Sequence, residues 1–199
     1  WGFPPPLPGA MSASGHRLWR QLTSRVGRHA DILRIDHAMA VHRLWWVPEG
    51  FSAEHGVYVH YPREEILAVI AASAAATGMT IVGENLGTVP SEVSAALERW
   101  DVLGMYEEQF HLDDDPLPRI PARTVAGIRT HDMEPLASLI ANRDTSGYRQ
   151  RIGHAHGRDV PARWEQVVDE MLVRLGASDA YLVPADLDDL AAFLRATRL

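Results

Sequence analysis

Short apolar runs alternate along this chain with longer stretches whose apolar positions recur every three or four residues. Residues 15–30 (GHRLWRQLTSRVGRHA) place Leu18, Leu22 and Val26 on one side at helical spacing. The short apolar run DILRID follows at 31–36. Residues 63–77 (REEILAVIAASAAAT) predict a helix with an apolar face, stopped by Gly78 at its C-cap. MTIVGE comes at once and is short, β-branched and unbroken, which reads as a strand. PSEVSAALERW predicts a helix opened by Pro90 and Ser91, and LGMYEEQF and VAGIRTHD read as two more strands. Residues 161–175 predict an amphipathic helix closed by Gly176, DAYLVPADL is a further short apolar run, and LDDLAAFLRAT is a last helix. Residues 1–9 are proline-rich and predict a stiff loop, because each proline fixes its φ and lacks a donor.

Strand-like runs that alternate with helices are the pattern of βα units on a parallel sheet, and about five units fit here. A closed (β/α)8 barrel needs eight, and roughly 250 residues. The 199 residues therefore predict an α/β chain that holds part of such a barrel. An open, doubly wound sheet is the alternative. No G-x-G-x-x-G follows a strand, which counts against its nucleotide-binding form.

Composition narrows the partners. The net charge is −7 and no basic stripe stands out, so nucleic acid is not expected. Cysteine is absent, which excludes disulfides and zinc–thiolate sites. No apolar run reaches membrane-spanning length and no secretory leader is visible, so no membrane is expected and a cytoplasmic location is. All 19 basic residues are arginine, which reads first as genomic base-composition bias and only then as selection for sugar or phosphate binding.

Three of the apolar runs end on an acid: Asp36, Glu84 and Asp132, at equal intervals of 48 residues. In parallel α/β barrels the active site lies at the carboxyl ends of the strands, so these acids are expected to meet in one pocket. Each is also open to a plainer reading, as the N-cap of the next helix or a solvated loop charge. Arg34 lies two residues before Asp36, so on a strand both side chains share a face, and the guanidinium favours an ionised carboxylate. A structural ion pair is the plainer version of that arrangement. His37 and His131 flank two of the acids and suit hydrogen bonds to sugar hydroxyls. Paired acids suggest glycosidic chemistry, in which one protonates the leaving oxygen and a second attacks the anomeric carbon. Mg²⁺ or Ca²⁺ with a phosphate substrate is the other use of three acids. HLDDDP at 111–116 lacks the glycine and spaced ligands of a calcium loop and reads as a solvated turn. HAH at 154–156 has no third ligand at helpful spacing, so no metal is expected.

LRIDHAMAVHRLWWVPEG, then VYVHYP, TIVGENLGTVPSEV and RTHDMEPLASL, resemble in order and spacing the 4-α-glucanotransferases of glycoside hydrolase family 77, the amylomaltases. The opening WGFPPPLP is similar to that family's W-G-x-P loop beside the active site. The resemblance covers residues 1–190 and implies the C-terminal part of a (β/α)8 TIM barrel, truncated at both ends. Residues 1–199 would then be one partial catalytic barrel domain, with 1–14 as the active-site loop and 15–199 as βα units. It implies Asp36 as nucleophile, Glu84 as general acid/base and Asp132 as transition-state stabiliser. Arg34, His37 and His131 would contact the nucleophile or the sugar, and Trp1 would lie near the acceptor. Trp45 and Trp46 read as core residues. The reaction implied is disproportionation of α-1,4-glucans (maltooligosaccharides, glycogen or starch-like chains) with no organic cofactor and no metal. The missing barrel segments of a full-length enzyme would be partners, and the piece alone is expected to be weakly active or inactive. The chain departs from the family at Asn85, where an acid is usual, at Ala40, where glycine is frequent, and at Pro135, where threonine is. An α-glucan hydrolase of the same clan, an inactive glucan-binding module and, more distantly, a Mg²⁺-dependent phosphoryl enzyme stay open.

Overall fold

The computed structural model describes residues 3–111 and 118–133. Trp1, Pro135, most of the HLDDDP turn, HAH and the elements expected between 161 and 197 lie outside the described residues. The chain divides into two compact units, Trp1–Gly104 and Met105–Leu199.

The first unit opens with α1 (Pro8–Ala13), a short helix inside the stretch read from sequence as a loop. Pro8 stands in its first turn, where a missing N–H costs nothing, and Met11 is buried on its inner side. α2 (Arg17–Val26) follows the expected span but faces another way. Leu18 and Leu22 are 62% and 46% exposed, while Thr23 is buried and Trp19 and Val26 pack on the core. The period is right, but Trp19 and Thr23 take the inner places expected of Leu18 and Leu22, beside Val26. Thr23 tolerates burial because its hydroxyl donates to the Trp19 carbonyl at 2.7 Å.

β1 (Ile32–Ile35) runs parallel to β4 (Thr80–Gly83), in register from Ile32 opposite Thr80 to Ile35 opposite Gly83. Leu103 extends this pairing by a parallel bridge to Val82. Between β1 and β4 the chain makes a 3-10 turn (Ala38–Val41), an antiparallel hairpin of β2 (Arg43–Trp46) and β3 (Val57–His60), and then α3 (Arg63–Thr77). The hairpin was not foreseen, although RLWW and VYVH each carry a β-rich alternation. α3 starts and stops where the pattern put it, and Gly78 closes it at φ 71°, a conformation that a Cβ disfavours. α4 (Ser91–Arg99) follows β4. The core joins Ile66, Leu67 and Ile70 of α3 to Ile35, Ile81, Val93 and Leu97. α2 lies on α3, and Gly27 permits the approach: a Cβ there would stand 2.8 Å from Thr77 Cβ.

β5 (Gly104–Glu107), which enters the second unit at Met105, pairs with β6 (Thr124–Gly127). Both are shorter than expected. After Glu107 the chain winds into a 3-10 turn at Glu108–His111, and after Gly127 it leaves the extended state before reaching His131. Beyond β6 the apolar pattern continues into Ile128, which is buried although it has left the strand, and beyond β5 the buried residue Glu108 already belongs to the turn. The described residues thus form an α/β chain whose first unit holds a parallel strand pair.

Candidate active site

Asp36 and Glu84 occupy the same place on neighbouring strands. Ile35 and Gly83 are the last paired residues of β1 and β4, so each acid is the first residue beyond its carboxyl end. The junction is stitched by main-chain bonds. Glu84 N–H donates to the Ile35 carbonyl and Ala38 N–H to the Glu84 carbonyl, both at 2.8 Å. Room for this crossing comes from Gly83, where a Cβ would stand 3.1 Å from Ala38 Cβ and 3.3 Å from Val102 Cγ1. These methyl groups, with Leu97 Cδ2 at 3.5 Å, already fill that corner, so a Cβ would have to displace them by a few tenths of an ångström.

The Glu84 carboxylate is held at both oxygens. Oε2 accepts from the His37 backbone N–H at 2.8 Å and Oε1 from the Leu86 N–H at 3.0 Å. His37 reaches this position in the left-handed region, φ 45° and ψ 64°, which is costly for a residue with a Cβ. The residue after the first acid therefore seats the second. Asp36 itself is 69% exposed at its side chain, and its Oδ1 meets Arg34 Nη2 at 2.7 Å. That ion pair follows from the strand: residues two apart share a face. Asn85 lies against the Gly104 backbone, where a Cβ would stand 3.0 Å from its Nδ2.

Asp132 belongs to the second unit and lies in the turn after β6, beside His131 Nε2 at 3.4 Å. Both side chains are largely exposed. The structure thus brings Arg34, Asp36, His37 and Glu84 together and sets His131 with Asp132. Trp1 lies outside the described residues.

A second polar cluster in the first unit was missed from sequence. His42 is buried where the 3-10 turn ends, and Arg63 Nη1 donates to its Nδ1 at 2.9 Å. A guanidinium only donates, so the ring proton sits on Nε2, which lies 3.3 Å from Glu92 Oε1. Burial, with Arg63 and His60 adding to it, holds the His42 pKa below the ordinary histidine value. Burial likewise pushes Tyr61 up, while its hydroxyl donates to the Pro6 carbonyl at 2.9 Å. No periodicity in the sequence pairs His42 with residues 21 and 50 positions away.

With this geometry in view, the likenesses to known proteins are informative. The family model described as 4-alpha-glucanotransferase matches residues 1–198. The 4-alpha-glucanotransferase of Haemophilus influenzae is 33% identical over 189 residues, which is 92% of this chain and 27% of that protein. The one from Mycobacterium tuberculosis is 34% identical over 161 residues, 77% of this chain and 22% of that protein. This chain accordingly spans about a quarter of the length of these two relatives. Among solved structures, the amylomaltase of Corynebacterium glutamicum superposes with a TM-score of 0.64 at 24% identity, covering 96% of this chain and 26% of the other. The Streptococcus agalactiae amylomaltase, solved in complex with acarbose, gives 0.63 at 20%, covering 86% and 32%. At these identities the structural likeness is one of fold.

Proposed function

The chain belongs to the 4-alpha-glucanotransferase family, and from that premise we propose that it carries the reacting groups of a retaining transfer of α-1,4-glucan segments to a 4-hydroxyl acceptor. In this reading it is the C-terminal part of a (β/α)8 barrel and serves one catalytic domain in the cytoplasm. The observation that supports the chemistry best is the pairing of Asp36 and Glu84 at the carboxyl ends of adjacent parallel strands, with Glu84 seated by the His37 amide.

The proposed reaction has two displacements. In the first, an Asp36 carboxylate oxygen attacks the anomeric carbon, the glycosidic C–O bond breaks, and Glu84 gives its proton to the departing sugar oxygen. In the second, Glu84 takes the proton of an incoming 4-hydroxyl, whose oxygen attacks the same carbon and releases Asp36. Arg34 holds the Asp36 carboxylate in its attacking orientation. Asp132 stabilises the oxocarbenium-like transition state, and His37, His131 and Trp1 contact the sugar. Transfer beats hydrolysis when the acceptor sugar is held in line and water is not, which is an orientation effect.

The experiment is a product analysis. Maltotriose incubated with the natural reading frame that contains this chain should yield glucose together with maltodextrins longer than three units. Shorter sugars alone would make the protein a hydrolase, and no products from it would leave the glucan-binding reading.

A further inference from the structure

Two of the proposed acids sit on neighbouring connections. One connection leaves β1 through Asp36 and His37, makes the 3-10 turn Ala38–Val41 and arrives at His42. The other leaves β4 through Glu84 and enters α4, whose first turn holds Glu92. The His42 ring joins the two. Its Nε2 lies 3.3 Å from Glu92 Oε1, and Arg63 Nη1, from the first turn of α3, donates to its Nδ1 at 2.9 Å. One imidazole therefore ties the turn after the first acid to the helix after the second, and both to the start of α3.

The turn between His37 and His42 is a stiff link. Ala40 N–H donates to the His37 carbonyl and His42 N–H to the Met39 carbonyl, both at 2.9 Å, and Ala38, Met39 and Val41 are buried. The His42 carbonyl in turn accepts from Tyr61 N–H at 2.8 Å. Close-packed backbone of this kind transmits strain instead of absorbing it. A displacement of His42 is thus carried to His37, whose amide seats Glu84.

The ring has one protonation state that fits its surroundings. Arg63 donates, so Nδ1 must stay a bare acceptor and the proton sits on Nε2, toward Glu92. A second proton would set N–H against N–H and a cation beside a guanidinium. The remaining cationic or titratable neighbours are His60 of β3, whose ring centroid lies 5.0 Å away, and Arg43 of β2. Glu64 and Glu65 line a cavity with His42, but Glu64 is held by Trp100 and Arg99, and Glu65 by Ser12 and His16. Glu92 is the carboxylate that favours a charged ring. Burial first, and then Arg63, hold the His42 pKa below the ordinary histidine value, so the ring is neutral at neutral pH.

We propose that neutral His42 is a positioning residue for the general acid/base: it locks the turn after β1 against α4 in the geometry in which the His37 amide seats Glu84, and a second proton opens that lock by expelling Arg63. The role of Glu84 rests on the catalytic reading above; the coupling of His42 to His37 does not. A charged His42 turns toward Glu92 and away from Arg63, the turn follows, and Glu84 loses the bond from His37. Transfer then falls on the acid side through kcat, because His42 touches no sugar in the proposed set.

The test uses the natural reading frame that contains this chain. First, the His37 backbone amide, observed with isotope-labelled histidine and assigned by its loss in His37→Asn, is followed against pH beside the His42 ring. A step in the His37 amide at the His42 midpoint is expected. It should vanish in His42→Gln, which keeps an acceptor and a donor but takes up no proton. In Glu92→Gln both midpoints should move together to lower pH, since the charged ring has lost its carboxylate. A His37 amide without that step, a step that survives in His42→Gln, or midpoints that move apart overturn the proposal. Second, kcat for maltotriose disproportionation is measured against pH. His42→Leu, which offers neither bond, should lower kcat about ten- to a hundredfold with KM little changed. His42→Gln should recover most of that loss and carry its acid limb to lower pH. An acid limb identical in wild type and His42→Gln overturns the proposal too. Absence of any maltotriose turnover in the wild type would instead overturn the catalytic reading, and the His37 titration would still decide the coupling.

Discussion

His37 pays for its left-handed backbone with about 1–2 kcal/mol of unfavourable conformation, and the amide it thereby presents to Glu84 is the return. Gly83 is bound to the same corner by packing. Gly83→Ala should cost about 1–3 kcal/mol through contact with Ala38 and Val102, measured as a lower urea midpoint at an unchanged slope. Asp36 is a different kind of residue. It is exposed, and among the described residues its ion partner is Arg34, itself 35% exposed, a pairing of small stabilising value. Asp36→Asn should therefore leave the thermal midpoint within a few degrees of wild type and lower maltotriose disproportionation at least about a thousandfold. Full turnover in that variant would remove Asp36 from the nucleophile's role.

Helix α2 shows how an element can be foreseen in span and mistaken in orientation. Periodicity selects a set of faces, and Leu18, Leu22 and Val26 formed the more apolar one. The face that turned inward carries Trp19 and Thr23, because α2 meets α3 through Gly27 and Thr77, and that contact fixes its rotation. Gly27→Ala should push the two helices apart at a cost of about 1–3 kcal/mol, read from chemical denaturation. The same substitution two residues earlier, Arg25→Ala at an exposed site, should change stability by less than about 0.5 kcal/mol. The hairpin was illegible for another reason. Each of its strands has four residues, and the ten residues between them carry no two-residue turn signal. Its two tryptophans, both expected in the core, separate: Trp46 packs inward and Trp45 does not.

For the molecule as a whole, His42 sets one acid limit of stability. Its folded pKa lies below the unfolded value of 6.5, so as pH falls past that value the unfolded chain takes up a proton that the native state resists. Stability is then lost with falling pH until the native ring also protonates. Glu64 and Glu92 are shifted down as well, Glu64 chiefly by the Trp100 indole and Glu92 by its own backbone amide. Their contributions hold above about 4.5 and fade below it, so the two windows are distinct. The thermal midpoint of wild type should fall between pH 6.5 and 5, and that of His42→Gln should fall less over the same interval. Parallel curves would show that His42 is not the titrating group.

By itself the sequence determined the αβ alternation, the helix ending at Gly78, the positions of Asp36 and Glu84 at strand ends, and the Arg34–Asp36 contact. All of these follow from local periodicity, capping and residue spacing, which are properties of a short stretch of chain. The tertiary structure alone decided which side of α2 is inside, that His37 would turn left-handed to seat Glu84, and that Arg63 and Glu92 would close on His42. Those depend on contacts between residues some 20 to 50 positions apart, whose geometry is fixed only when the core packs.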